Sequence, residues 1–207
     1  MSIYPLRVPE FFQSFFPDLI WRMDNSDKKI HLTFDDGPTP GVTDKVLELL
    51  SKYNAKVTFF CIGKNVEENP FLFQSIIDGG HKVGNHTYNH NNGWKVSNNE
   101  YFDSIDRCNN VVKSNLFRPP YGKIKSSQTT FLKNHYKIIM WNVLSGDFDK
   151  TLDKEKCLNN VLKLTKSGSI VVFHDSIKAS ERMLYTLPKM LEYFSNKGYK
   201  FESISFL

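Results

Sequence analysis

The sequence predicts an α/β fold in which a parallel sheet, crossed by helices, closes into a TIM-barrel-like (β/α) barrel. Three observations carry that expectation. From residue 30 onward, short β-branched or aromatic runs alternate with longer segments of helical period. The alternation continues to the end of the chain, as a barrel requires. The residues able to do chemistry fall just after the apolar runs, where α/β sheets carry their sites.

Taken in order, the strand candidates are 30–34, 57–62, 82–85, 137–142, 169–174 and 199–204. Between them, 43–53 sets Val46, Leu47, Leu49 and Leu50 on one helical face, and 66–78 runs into Gly79-Gly80, a pair suited to end a helix. Residues 101–112 and 154–166 share that period. Ahead of the first strand, 11–21 is rich in phenylalanine but short, interrupted by Pro17 and Asp18, and not basic. Residues 1–28 are therefore expected to form an N-terminal extension that packs on the barrel and does not enter a membrane.

At 207 residues the chain can bury one core, and 40% hydrophobic with 24% charged residues excludes a disordered polymer. The net charge of +5 comes from scattered lysines with no basic run, so nucleic acid is not an expected partner. Neither a transmembrane span nor a signal peptide is evident, which makes the cytoplasm the default location and a monomer the default state. Cys61, Cys108 and Cys157 form no C-x-x-C pair and are odd in number, as expected of buried, reduced thiols.

The 30–34 run leads into Thr33-Phe34-Asp35-Asp36-Gly37-Pro38. Neighbours on an extended chain point opposite ways, so both carboxylates can face one site only if the chain bends, and Gly37-Pro38 is the expected bend. Alone, the segment reads better as a solvated turn. The 82–85 run leads into His86-Thr87-Tyr88-Asn89-His90, whose spacing on a helical turn puts two imidazoles on one face. With a carboxylate from elsewhere they make a three-ligand set for zinc, or for Co2+, Ni2+ or Fe2+.

Phe117-Arg118-Pro119-Pro120-Tyr121-Gly122 reads as a rigid, exposed loop offering a permanent cation able to pair with one of the aspartates. Further on, Ser145-Gly146-Asp147-Phe148 follows one strand candidate and Val172-Phe173-His174 ends another. A carboxylate such as Asp147 beside His174 would keep the imidazole protonated near neutrality, as a general acid requires. His31, His81 and His135 lack such company and are read as structural or surface residues.

In this order the five segments resemble the motifs of the polysaccharide deacetylases, carbohydrate esterase family 4, the NodB-like homology domain. The resemblance covers residues 29–207 and implies a distorted (β/α) barrel of about seven strands. It implies Asp35 as catalytic base, Asp36, His86 and His90 as metal ligands, Arg118 as the residue orienting the base, and the Tyr121 N–H as an oxyanion donor. Pro119 would line the substrate groove. Asp147 would orient the acid, His174. Phe148 stands where the family usually has Trp and Val172 where it has Leu, which bears on the shape of the acyl pocket.

The implied reaction is metal-dependent hydrolysis of the N-acetyl group of a sugar such as N-acetylglucosamine in peptidoglycan or a chitin-like oligosaccharide. Two rivals remain open at this point: hydrolysis of another non-peptide C–N bond by the same fold, and a catalytically silent carbohydrate-binding module. Binding alone would not call for Asp35 and His174.

Overall fold

The computed structural model describes residues 6–24 and 26–206. Its strands are β1 (Leu19–Ile20), β2 (Lys29–Asp35), β3 (Thr58–Cys61), β4 (Lys82–Asn85), β5 (Leu116–Phe117), β6 (Lys137–Ile139), β7 (Val143–Leu144), β8 (Ile170–His174) and β9 (Lys200–Phe201). Its helices are α1 (Glu10–Gln13), α2 (Thr43–Lys52), α3 (Gly63–Glu68), α4 (Pro70–Asp78), α5 (Asn98–Val112), α6 (Ser126–Leu132), α7 (Lys154–Leu164) and α8 (Ser180–Asn196). All strand pairs are parallel, in the order β1-β6-β5-β4-β3-β2-β8-β7, with β9 also against β2.

This order forces the sheet to curl. From β6 to β7 the path crosses six strand spacings, roughly 29 Å if flat at about 4.8 Å each. Yet Ile139 and Val143 are joined by a stretch of chain that spans at most ~14 Å. Met140 N bonds Ile20 O while Asn142 N bonds Ile170 O, so this stretch crosses between the sheet's two ends. The seven strands from β6 round to β7 thus make the distorted barrel. β1 adds a strand from the N-terminal segment outside β6, and Arg7 forms an isolated antiparallel bridge to Val143.

Strand β2 shows how pattern becomes placement. Ile30, Leu32 and Phe34 join Val57, Phe59, Val171 and Phe173 in the main core, against Val46 and Leu50 of α2 and Met183, Leu187 and Met190 of α8. The alternate residues His31, Thr33 and Asp35 face the other way, into the barrel. That polar row ends at the C-terminal mouth of the barrel.

Several elements depart from the pattern reading. The segment 66–78 is two helices, not one. Pro70 has no N–H to continue the ladder and disfavours the helical region at Asn69, whose φ/ψ are −133°/57°. The run 137–142 ends at Ile139, where the chain changes sheet partners, and 199–204 pairs only over Lys200–Phe201. The longest helix, α8, carries Pro188 inside it and was not expected. All three cysteines are free and buried, and no helix among the described residues is long and apolar enough to cross a membrane.

Candidate active site

The register of two neighbouring strands sets the centre of the site. Asp35 on β2 and His174 on β8 are Cα partners, so both side chains leave the sheet on one face at the barrel mouth. Asp36, the next residue, would point away in an extended chain. It has φ +83° instead, and this left-handed residue, followed by the cis Gly37-Pro38 peptide, makes the bend. Asn65 Nδ2 donates to its carbonyl at 2.7 Å and fixes the turn.

Asp36, His86 and His90 each offer a ligand atom, and those atoms lie within 4.8 Å of one another. The two histidines do not sit on a helical turn. They belong to a loop after β4 in which Thr87 and His90 both have positive φ, 60° and 57°, and their rings stand 5.0 Å apart. His86 Nδ1 bonds the Arg118 carbonyl at 2.8 Å, which leaves Nε2 facing Asp36 Oδ1 at 3.8 Å. Burial holds His86 well below its ordinary pKa, with His90 adding to the effect, so the ring is neutral. With Nδ1 donating, Nε2 is a lone pair turned toward a carboxylate oxygen. Two acceptors face each other there, and Asp36 Oδ1 is buried with no hydrogen-bond partner. A bound cation resolves that arrangement, so the donor set fits a divalent metal.

Arg118 is not in an exposed loop: its side chain is wholly buried. Its Nη1 donates to Asp35 Oδ1 and to Thr33 Oγ1, both at 2.7 Å, while Nε and Nη2 bond the carbonyls of Ile139 and Met140. Its guanidinium lies 4.1 Å from the Phe60 ring centroid. The cation thus holds one oxygen of Asp35 and fixes the orientation of the other.

Asp147, fully buried, grips His174 twice. Oδ2 accepts the backbone N–H at 2.7 Å and Oδ1 meets Nδ1 at 2.8 Å. Burial alone would lower the imidazole pKa. The Asp147 charge and hydrogen bond, with smaller contributions from Asp36 and Asp35, outweigh it and raise the pKa to about 9. The ring is therefore an imidazolium at neutral pH, with Nε2 left to serve the site.

The remaining predicted residues occupy different depths. Tyr121 has φ 60° within a 3-10 turn, Pro120–Gly122, whose own hydrogen bonds use the N–H groups of Gly122 and Lys123. The residue is 60% exposed, and its ring stands 4.5 Å from that of His90. Phe148 packs edge-on to His174 at 5.1 Å. Pro119 is buried, and Val172, only 1% exposed, lies beneath the site and not on its open wall.

Sequence reasoning missed Asp175. It is fully buried, its Oδ1 accepts the Gly37 N–H at 3.0 Å, its Oδ2 accepts the Thr43 hydroxyl at 2.6 Å, and its own N–H bonds Asp35 O. It therefore ties the loop carrying Asp36 to the strand carrying His174. A Cβ on Gly37 would collide with this carboxylate, so the loop needs glycine there. The one available signal was adjacency to His174.

The polysaccharide deacetylase family profile matches residues 22–136. A peptidoglycan-N-acetylglucosamine deacetylase of Bacillus cereus is 36% identical over 192 residues, which cover 89% of this chain and 90% of that protein. Among solved structures, the Bc1960 peptidoglycan N-acetylglucosamine deacetylase superposes with a TM-score of 0.87 at 29% identity, covering 95% of each chain. A family 4 pseudoenzyme from Bacillus anthracis superposes with a TM-score of 0.79 at 27% identity, covering 90% of this chain and 67% of its own. Likeness of fold is therefore shared by active and inactive proteins, and the residues at the barrel mouth must decide between them.

Proposed function

This chain belongs to the polysaccharide deacetylase family, and from that premise we propose that it is a metal-dependent hydrolase of the acetamide on N-acetylglucosamine units of a peptidoglycan or chitin-like glycan. The observation that carries the reading is the pairing of Asp35, held by Arg118, with a protonated His174 in register across two strands beside three convergent metal donors. A silent binding module has no use for an acid and a base paired beside a metal site.

Asp36, His86 and His90 would hold the metal. Two imidazole nitrogens and one carboxylate with open positions suit zinc, though Co2+, Ni2+ or Fe2+ fit the same donors. When bound, the ion supplies Lewis acidity to the acetyl carbonyl and lowers the pKa of the attacking water. The residues do the rest. Asp35 accepts the water's proton through the oxygen that Arg118 leaves free. The Tyr121 N–H faces the charge developing on the acetyl oxygen, and one such preorganised donor is worth ~3 kcal/mol.

His174 Nε2 gives its proton to the departing nitrogen, so a C–O bond forms, the C–N bond breaks, and acetic acid and a free amine leave, the acid's proton passing to the amine or to solvent. Asp35 then carries the water's proton and His174 is neutral, so one proton passes between them or through solvent before the next turnover. The test is acetate release from N-acetylated glycans, with and without a chelator. Full turnover by metal-free protein, or no release from any acetylated glycan by metal-loaded protein, overturns the reading.

A further inference from the structure

Arg182 lies in the first turn of α8 and is buried, at 7% exposure. A guanidinium is seldom taken out of water unless something there needs its donors. The one ion pair it makes among the described residues runs from Nη1 to Glu181 Oε2 at 3.9 Å, and the Glu181 side chain is 78% exposed, so that pair contributes little. The short bonds go to backbone carbonyls instead. Nε donates to Asp147 O at 2.7 Å, and Nη2 donates to Lys178 O at 2.9 Å.

Those two carbonyls stand on either side of His174. The pairing of β7 with β8 ends where the Ser145 N–H meets Val172 O, so Asp147, two residues further on, is past the paired strand. Gly146 has φ +81°, and 145–149 forms neither helix nor strand. A carboxylate carried on such a loop keeps its direction only if the backbone beneath it is held. Ser145 Oγ accepts the Asp147 N–H at 3.2 Å, and Arg182 holds the same residue by its carbonyl. Through its second bond Arg182 joins this loop to the segment that leaves His174 for α8. Asp147 commits both oxygens to His174, one to the backbone N–H and one to Nδ1, so a swing of its backbone loosens both bonds together. Anchoring the start of α8 would require only the Lys178 carbonyl, four residues back. The shorter and more deeply buried bond goes to Asp147.

We infer that Arg182 is a positioning residue for the acid: through the Asp147 carbonyl it holds the carboxylate that keeps His174 Nε2 aimed at the departing nitrogen. Its effect on turnover rests on the deacetylase reading above, whereas its effect on the Asp147–His174 contact does not.

The experiment is a double-mutant cycle on the zinc-loaded full chain, with wild type, Arg182→Met, Asp147→Ala and the double variant assayed on an N-acetylchitooligosaccharide. Arg182→Met should lower kcat ~10–100-fold by misdirecting the acid. KM should stay within about twofold and the zinc Kd should be unchanged, because neither substrate nor metal binding uses the bond. In the Asp147→Ala background the same substitution should cost less than ~3-fold, since the carboxylate through which Arg182 acts is gone. A contact that only supports the fold would cost the same factor in both backgrounds. Arg182→Lys keeps the charge but cannot bond both carbonyls from one rigid fork, so it should lose roughly 3–10-fold by the same cycle. It carries the test if Arg182→Met does not melt cooperatively.

A second readout needs no turnover. At pH 7 the His174 Nδ1 proton, bonded to Asp147 Oδ1 at 2.8 Å, should give a downfield proton NMR signal that is absent in Asp147→Ala and moves upfield or broadens in the Arg182 variants. Equal losses in the two backgrounds, a loss carried by KM alone, or an Nδ1 signal that the Arg182 variants leave in place overturns the inference. If wild type releases no acetate but the signal moves, the deacetylase reading fails and the positioning role stands; if the signal also stays, both fail.

Discussion

Replacing Asp147 with Asn should move the alkaline limb of the pH profile of kcat/KM to lower pH by about two units. In the metal-free protein the Asp147 carboxylate, 2.8 Å from Nδ1, is the main reason that His174 rises from 6.5 to about 9 despite its burial. A difference of that size changes the protonation equilibrium ~300-fold, on the order of 3 kcal/mol. Asn removes the charge, and with a single oxygen it cannot accept from both Nδ1 and the backbone N–H as Asp147 does. Burial then acts against less opposition, and the imidazole should titrate near or below 6.5. The acid must be protonated to act, so activity is lost at a lower pH. At pH 8 the variant should show roughly 10- to 30-fold lower kcat/KM.

The assay is amine formation on an N-acetylchitooligosaccharide from pH 5.5 to 9.5 with saturating metal. A bound cation offsets the Asp36 charge in both proteins alike, so the difference between them survives even though both limbs shift. Stability of the metal-free protein gives a second readout. A histidine whose folded pKa is raised contributes stability that is complete below the unfolded value of 6.5 and lost as pH rises through about 9. Wild type should weaken across that window by up to about 3 kcal/mol, and Asp147→Asn should not. An alkaline limb that stays in place would mean that His174 is not the acid or Asp147 not its partner.

Chelation should abolish activity and added zinc or cobalt restore it, and Asp36→Ala should lower bound zinc per chain as measured by elemental analysis. Asp35→Asn should keep the metal but lose ~10²–10⁴ in kcat, and near-native turnover would remove Asp35 from the mechanism. Arg118→Met should lower stability by ~3–5 kcal/mol in denaturant titrations, because it strands the buried Asp35 charge and two carbonyls. Asp175→Ala should weaken metal binding by ~10–100-fold in calorimetry through the Gly37 loop, and an unchanged Kd would reduce Asp175 to a core residue.

The barrel was legible wherever apolar periodicity was long enough to read. Strands β2, β3, β4 and β8 stand out because their alternate residues fill a continuous core, and their ends therefore pointed to Asp35, His86 and His174. The two-residue strands β1, β5 and β7 are too short to carry a period, and tertiary packing alone defines them, whereas β9 lies inside the expected 199–204 run and is only shorter than it. Pro188 obscured α8, although Met183, Leu187, Met190, Leu191 and Phe194 lie on one buried face. Arg118 was misjudged because a flanking Pro-Pro-Tyr-Gly suggests a surface turn. The carboxylate and carbonyls that justify burying a guanidinium come from other strands, which no local pattern reveals.

The least legible part of the site is its backbone. Among the described residues six that are not glycine have positive φ, and four of them, Asp36, Thr87, His90 and Tyr121, are site residues or immediate neighbours. Aspartate tolerates this region, but a β-branched threonine does not, and Thr87 at φ 60° is strained. Its surroundings impose the strain: Asn85 Oδ1 accepts the Thr87 N–H at 2.9 Å, the Thr87 hydroxyl accepts the Asn91 N–H at 3.0 Å, and Ser104 holds the N–H of Tyr88. Each such residue costs on the order of 1–3 kcal/mol and persists only where neighbours over-determine it. The strain gives what an extended chain cannot. It turns Asp36 to the same side as Asp35, and it brings His86 and His90 together without a helix. Relaxing one turn should therefore disperse the donors before it unfolds the barrel. Thr87→Gly would relieve the strain but also release the restraint, so it should raise the melting temperature or leave it unchanged while weakening zinc binding. A variant that binds zinc as tightly as wild type would show that the donors do not depend on this backbone.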